Sequence, residues 1–170
     1  ETLMYILYTS GSTAQPKGIM GLQRGVLARS QWMWNQYPYD SDECCCHKTS
    51  IGFIDALNEI VTPLLKGVTL LVLPQDTVYN LNEFTSIPSL LTALLDYCPD
   101  LEKQWKKMRQ IIISGEVAQH IVAAKCKRQL PHVSLMNIYG CTECSGDSSL
   151  YDIGELTLEE VSISSVQEAG

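Results

Sequence analysis

Residues 3–18 read LMYILYTSGSTAQPKG. A run of β-strand type, residues 3–9, empties into a loop rich in hydroxyls (Tyr8, Thr9, Ser10, Ser12, Thr13), with glycines at 11 and 18 and a lysine at 17. Such a loop suits a polyphosphate. Small residues let backbone N–H groups approach the oxygens, hydroxyls donate further bonds, and Lys17 adds charge. It is not the Walker pattern G-x-x-x-x-G-K-[ST], because Gly11 leads here to Pro16, Lys17 and Gly18. Taken alone, the loop also fits the less favoured reading of a Ser/Thr-rich surface turn.

Outward from this loop the chain alternates strands and helices. An amphipathic helix is expected over 21–37, closed by Pro38, and a short buried strand over 44–48. Helical spacing of Phe53, Leu57, Ile60 and Leu64 predicts a helix that stops at Gly67. A buried strand over 67–74 ends at Pro74, and a helix over 88–98 carries Pro88 in its first turn. Strands over 109–114 and 132–139 flank a helix over 117–130. The alternation predicts an α/β fold, a largely parallel sheet with flanking helices. One join is short for that scheme. Between Pro74 and Pro88 the residues QDTVYNLNEFTSI are too few for a strand–helix–strand crossover. Asn80–Phe84 has the look of a helix start and Thr85–Pro88 of a strand end, so a deleted segment is expected there rather than a plain loop.

The chain has 170 residues, 45% hydrophobic and 18% charged, which is a globular composition and not a disordered one. Its net charge of −7 disfavours a nucleic-acid partner. No stretch nears the twenty or so apolar residues that span a bilayer, and no signal peptide precedes the first strand, so a cytoplasmic chain without a membrane partner is expected. The start at Glu1, within a strand pattern and without Met, predicts part of a longer protein. The seven cysteines are expected to be reduced. Cys44, Cys45 and Cys46 are consecutive, and neighbours on a strand face opposite ways, so they cannot readily hold one metal. Cys141 and Cys144 form a C-x-x-C with no second pair beside it, and no zinc site is expected.

YTSGSTAQPKG resembles the signature loop of the adenylate-forming (AMP-binding) superfamily, usually YTSGSTGxPKG. Residues 137–147, NIYGCTECSGD, resemble that family's N-x-YGxTE motif, and residues 112–116, IISGE, its adenine-contacting strand end. The resemblance implies ATP-dependent activation of a carboxylate as an acyl-AMP, with Mg²⁺, followed by transfer to a thiol, commonly phosphopantetheine on a carrier-protein domain. It further implies that Thr9, Ser10, Ser12 and Thr13 hold the β- and γ-phosphates. Gly11 and Gly18 would allow close backbone approach, with Lys17 as the charge. Gly115 and Glu116 would border the adenine, Tyr139 stack on it, and Gly140 leave room for the nucleotide. Thr142 would bond the α-phosphate, and Glu143 help bind Mg²⁺. Ala14 and Cys141 depart from the usual glycine and proline. The family's ribose-binding, hinge and lid motifs are not found. Residues 1–152 therefore resemble part of the large N-terminal subdomain, expected to be inactive alone, with 153–170 an acidic tail of no recognised motif.

In amino-acid-activating members the order F-D-x-S sets an aspartate against the substrate ammonium. Here the order is Phe53-Ile54-Asp55-Ala56, one position later, which rotates a helical side chain by about 100°. The shift resembles Ebony-type β-alanine-activating domains, which share FxDxxxE, SGE and a Gly-Asp pair, here Gly146-Asp147. The resemblance implies that Asp55 and Asp147 hold the ammonium of β-alanine or a similar small amino acid. Ile54, Asn58, Thr85, Ile112, Ser114 and Ile138 would line the pocket with Gly146. A fatty- or aryl-acid-activating enzyme and a non-catalytic nucleotide-binding remnant are the competing readings.

Overall fold

The computed structural model describes residues 2–10, 15–73 and 81–153. The join at 74–80, the tail from 154 and the phosphate-loop residues 11–14 lie outside the described residues. Two compact units emerge, residues 1–77 with 140–148, and residues 78–139 with 149–170.

In the first unit β1 (Leu3–Thr9) pairs antiparallel with β2 (Lys17–Leu22), so the signature loop is the connection of a two-stranded ribbon. Helix α1 (Gln23–Gln36) follows directly and buries Val26, Ser30 and Met33, positions one turn apart on a single face. That face is pinned to α2 (Ile54–Leu65) by polar contacts. The Ser30 and Thr62 hydroxyls lie 3.0 Å apart, and Trp34 Nε1 donates to the Thr62 carbonyl at 3.0 Å. β3 (Cys44–His47) and β4 (Thr69–Val72) pair in parallel across α2, a β-α-β unit. β4 was expected to be buried. Instead Val72 is 76% exposed, because β4 pairs only with β3 and leaves its other edge open among the described residues.

In the second unit β5 (Glu83–Ser86), β6 (Gln110–Ile113) and β7 (Ser134–Cys141) run parallel, and β8 (Gly146–Asp152) completes the order β5-β6-β7-β8. Helices α3 (Pro88–Tyr97) and α4 (Leu101–Gln104) connect β5 to β6, and α5 (His120–Gln129) connects β6 to β7. Phe84 packs on Trp105 with ring centroids 5.2 Å apart, and both are fully buried with Leu91, Ile111 and Ile113. The helix start read at Asn80–Phe84 is thus a strand from Glu83, drawn into the sheet by pairing with the apolar β6. Among the described residues β4 and β5 belong to different sheets. Among the described residues no helix is long and apolar enough to cross a membrane.

Glu59 organises the turn between β3 and α2. Its buried carboxylate accepts from the Lys48 and Thr49 amides (3.1 and 3.0 Å) and the Thr49 hydroxyl (2.6 Å), and lies 3.1 Å from His47 Nδ1. Glu59→Ala leaves two backbone donors without their acceptor and should lower stability by about 3 kcal/mol, whereas Glu59→Gln keeps one acceptor and should cost less. Urea denaturation of the two variants checks the order, and equal stabilities would contradict it.

Candidate functional site

The end of β7 turns back tightly. After Cys141 a single 3₁₀ turn, Thr142–Cys144, is closed by Ser145 in the left-handed region (φ 65°), and Gly146 follows at φ 108°. A Cβ on Gly140 would collide with the Gly146 carbonyl oxygen and lie 2.8 Å from the Asp147 Cα. The chain's own backbone thus demands glycine at this position. The turn leaves Glu143 exposed and Thr142 half-buried.

Gly146 is packed from its other side. A Cβ there would meet Ile54 Cγ1 at 3.1 Å and Asn58 Nδ2 at 3.5 Å. The structure thus brings together Ile54, Asn58 and Gly146, three residues that the resemblance placed in a substrate pocket. Asn58 is only 6% exposed, and neither its Oδ1 nor its Nδ2 has a hydrogen-bond partner. A buried amide in that state has paid desolvation without recovering a bond, a cost of about 1–3 kcal/mol that a ligand's polar group would remove.

Asp147 follows Gly146 and is held by Arg29 of α1, whose Nε donates to Oδ2 at 2.5 Å, with both side chains mostly buried. Arg29 was not among the residues singled out from the sequence. It stands three residues after Val26 on the packing face of α1, and its partner lies 118 residues away, so no local pattern announces it. Asp55 occupies the first turn of α2, where the helix dipole favours an acid.

The phosphate-loop residues within reach of description sit at the ribbon's mouth. Lys17 opens β2 opposite Thr9, Gly18 pairs with Tyr8, and Ser10 and Lys17 are exposed. Gly11, Ser12 and Thr13 lie outside the described residues.

In the second unit Thr85 pairs with Ile112, and Ile112 with Met136. Alternation along parallel strands therefore sets Thr85, Ile112, Ser114 and Ile138 on one face of the sheet. Ile112 and Ile138 are each 3% exposed, and the Ser114 amide donates to the Ser86 carbonyl at 3.0 Å. Gly115 takes φ 80°, which glycine alone adopts freely. Glu116 is committed to the start of α3, accepting from the Ser89 amide and hydroxyl at 3.0 Å each. Tyr139 is 73% exposed. A cavity of about 410 Å³ lies elsewhere in the first unit, lined by Trp34, Tyr39, Glu43 and Lys66 among others, and contains none of these residues.

Cys141 Sγ donates to Cys144 Sγ at 3.4 Å, and both thiols are free and exposed. Hydrogen bonds from Ser148 and then Cys141 lower the Cys144 pKa, while that same bond to Cys144 raises the Cys141 value. Burial pushes the Cys126 thiol up to about 12. Cys44, Cys45 and Cys46 are in no disulfide, and among the described residues no three His, Cys, Asp or Glu side chains gather as metal ligands.

An ordered run of a phosphate-type loop, an S-G-E strand end and a Y-G-x-T-E turn on an α/β scaffold defines a nucleotide-handling fold. The chain belongs to the family of AMP-binding enzymes, whose sequence model matches residues 1–166. It is 30% identical over 171 residues to the beta-alanyl-bioamine nonribosomal peptide synthetase ebony of Drosophila melanogaster, covering 89% of this chain and 20% of that one. Its fold is that of the Vibrio cholerae adenylation domain AlmE in complex with glycyl-adenosine-5'-phosphate (TM-score 0.79, 20% identity, 90% of this chain and 31% of that one). It also matches the Klebsiella oxytoca NpsA N-terminal subdomain (TM-score 0.76, 24% identity, 92% and 43%). The α/β expectation and the resemblance to nonribosomal-peptide-synthetase adenylation domains are both met. The chain spans a small part of its curated relatives, from 4% to 20% of their lengths.

The glycine at 140 gives a direct test of the turn. Gly140→Ala forces backbone apart and should cost about 2–3 kcal/mol. Gly67→Ala, at φ 74° with nothing within 4 Å of a Cβ, should cost about 1 kcal/mol from conformation alone. Chemical denaturation of both variants should rank them in that order.

Proposed function

We propose that this chain is the nucleotide- and substrate-binding part of an enzyme that activates an amino-acid carboxylate with ATP. The observation that carries the amino-acid reading is the cluster in the first unit: a buried Asn58 amide with both polar atoms unpaired, against Gly146 and Ile54, with two carboxylates close in sequence to it. A fatty acid offers such a cluster no polar group beyond its carboxylate. An amino acid offers an ammonium.

In the proposed reaction a carboxylate oxygen attacks the α-phosphorus of ATP, the bond to the β-phosphate oxygen breaks, and pyrophosphate leaves. Thr9, Ser10, Ser12, Thr13 and Lys17, with the Gly11 and Gly18 backbone, would bind the β- and γ-phosphates. Thr142 would bond the α-phosphate. Gly115 and the Glu116 backbone would border the adenine, with Tyr139 on its face; exposure of Tyr139 supports a ring free to stack. Mg²⁺ is a hard cation commonly held by one or two carboxylates together with substrate phosphates. The exposed Glu143 carboxylate fits that need, and the ion when bound would offset charge on the departing pyrophosphate. The acyl group would then pass to a phosphopantetheine thiol on a carrier-protein domain.

Within the substrate cluster Asp55 is the ammonium anchor. Asp147 contributes its Oδ1, since Oδ2 is held by Arg29. β-Alanine is the preferred substrate, because the one-residue displacement of Asp55 suits an amine one carbon farther from the carboxylate. The similarity to ebony, named as a beta-alanyl-bioamine synthetase, supports this choice.

Carboxylate-dependent exchange of pyrophosphate into ATP, measured on the complete polypeptide that carries these residues, tests the reading. β-Alanine should exceed α-alanine, and both should exceed propionate, which leaves the carboxylates without their ammonium. Asp55→Ala should raise the KM for β-alanine roughly 10- to 100-fold, the worth of a hydrogen bond between charged groups, with the KM for ATP little changed. Arg29→Lys should retain more β-alanine use than Arg29→Ala. Equal turnover of propionate and β-alanine would refute the ammonium site.

A further inference from the structure

We propose that Cys141 and Cys144 form a reversible redox pair whose disulfide closes the turn that carries Thr142 and Glu143. The two sulfurs already touch at 3.4 Å, both are exposed, and neither is engaged in a disulfide. A disulfide bond is about 2.0 Å long, so joining them needs a little over 1 Å of movement. Rotation of two exposed side chains about χ1 supplies that without moving the core. The backbone favours the closure as well. Ser145 and Gly146 both hold positive φ and turn the chain back at once, and the Ser145 amide donates to the Thr142 carbonyl at 3.3 Å. The turn is therefore preformed around the two thiols.

The other cysteines are less suited. Cys45, Cys46 and Cys126 are buried, which withholds them from an oxidant in solution. Cys44 and Cys98 are partly covered, and the cysteines next to Cys44 lie on its own strand, where successive side chains face alternate ways.

The reaction balances with a peroxide as the oxidant. One thiol sulfur takes the hydroxyl oxygen of hydrogen peroxide, giving a sulfenic acid and one water. The second sulfur then displaces that hydroxyl, forming the S–S bond and releasing a second water. Two electrons and two hydrogens have left the protein. A dithiol reductant returns them by exchange through a mixed disulfide. In the oxidised form Thr142 and Glu143 are enclosed in a four-residue ring and lose the freedom to adjust to an α-phosphate and its cation. That consequence rests on the function proposed above; formation of the disulfide does not.

The chain can be tested as it stands. No lysine or arginine follows Arg128, so trypsin releases residues 129–170 as one peptide whose only cysteines are Cys141 and Cys144. The reduced chain, treated with substoichiometric hydrogen peroxide and then with iodoacetamide, should yield this peptide unalkylated and lighter by two hydrogens. Dithiothreitol should restore both alkylation sites. The same treatment in concentrated urea should lose the preference, since the preformed turn is gone. Two alkylated cysteines in the native chain while other thiols oxidise, or a sulfinic acid without the disulfide, would overturn the pair. On the complete polypeptide, peroxide should depress pyrophosphate exchange reversibly, and the Cys141→Ser, Cys144→Ser double variant should resist it. Exchange unaffected by a mapped disulfide would overturn the switch. Absence of exchange under any condition would count against the proposed function and leave the peptide mapping to decide the disulfide.

Discussion

Gly140 has no room for a side chain, and much of the first unit's chemistry follows from that. Because the backbone of β7 passes against the Gly146 carbonyl, the four residues between Gly140 and Ser145 must be spent on one tight turn. The turn lifts Thr142 and Glu143 out of the sheet and sets Cys141 and Cys144 side by side. It also delivers Gly146 onto Ile54 and Asn58 of α2, and thereby hands Asp147 to Arg29 of α1. A methyl group at one position would disturb all of these together, since they share one stretch of backbone and not a set of separable contacts.

How much was legible in the sequence depends on the range of the interactions involved. β1, α2, α3, β6 and β7 were readable because each carries a local apolar period and a terminator such as Pro88 or Gly67. β2 was read as loop and helix start, since Lys17–Leu22 is short and holds two glycines; only its pairing with β1 makes it a strand. β8 was missed, and the start of the strand at Glu83–Ser86 was read as helix although its end was read as strand, for a related reason. The polar pattern of residues 146–152 and the acid at 83 speak against a strand locally, and pairing overrides them. The exposure of β4 lay beyond reach, because TLLV looks the same whether or not a further strand covers it.

The candidate site divides along the same line. Ile54, Asn58 and Gly146 were singled out through a motif resemblance, and the structure gathers them through contacts that no spacing rule expresses. Glu116 and Glu59 show the opposite case. Both belong to recognisable patterns, yet their carboxylates are taken up by hydrogen bonds that hold loops, at Ser89 and at His47–Thr49. A pattern can mark the residue without saying whether its side chain meets a ligand or its own backbone.

Charge balance sharpens what the substrate cluster can select. Two carboxylates were read as two counter-charges for one ammonium. The Arg29 guanidinium changes that sum, for Asp147 already has a cation on one oxygen, in surroundings where both side chains are mostly buried. Adding a substrate ammonium to the Arg29–Asp147 pair places a second positive charge beside the first, which Asp147 alone does not offset. In the proposed arrangement the ammonium would therefore fall to Asp55, in the first turn of α2, with Asp147 fixing geometry through its remaining oxygen. The buried Asn58 amide adds a demand of its own, since its donor and its acceptor both lack partners until a polar group arrives. In the proposed arrangement an acid of similar size without an ammonium would offer the cluster no donor for the Asn58 carbonyl oxygen, so discrimination would come from the polar group left unsatisfied in its presence more than from any contact that it makes.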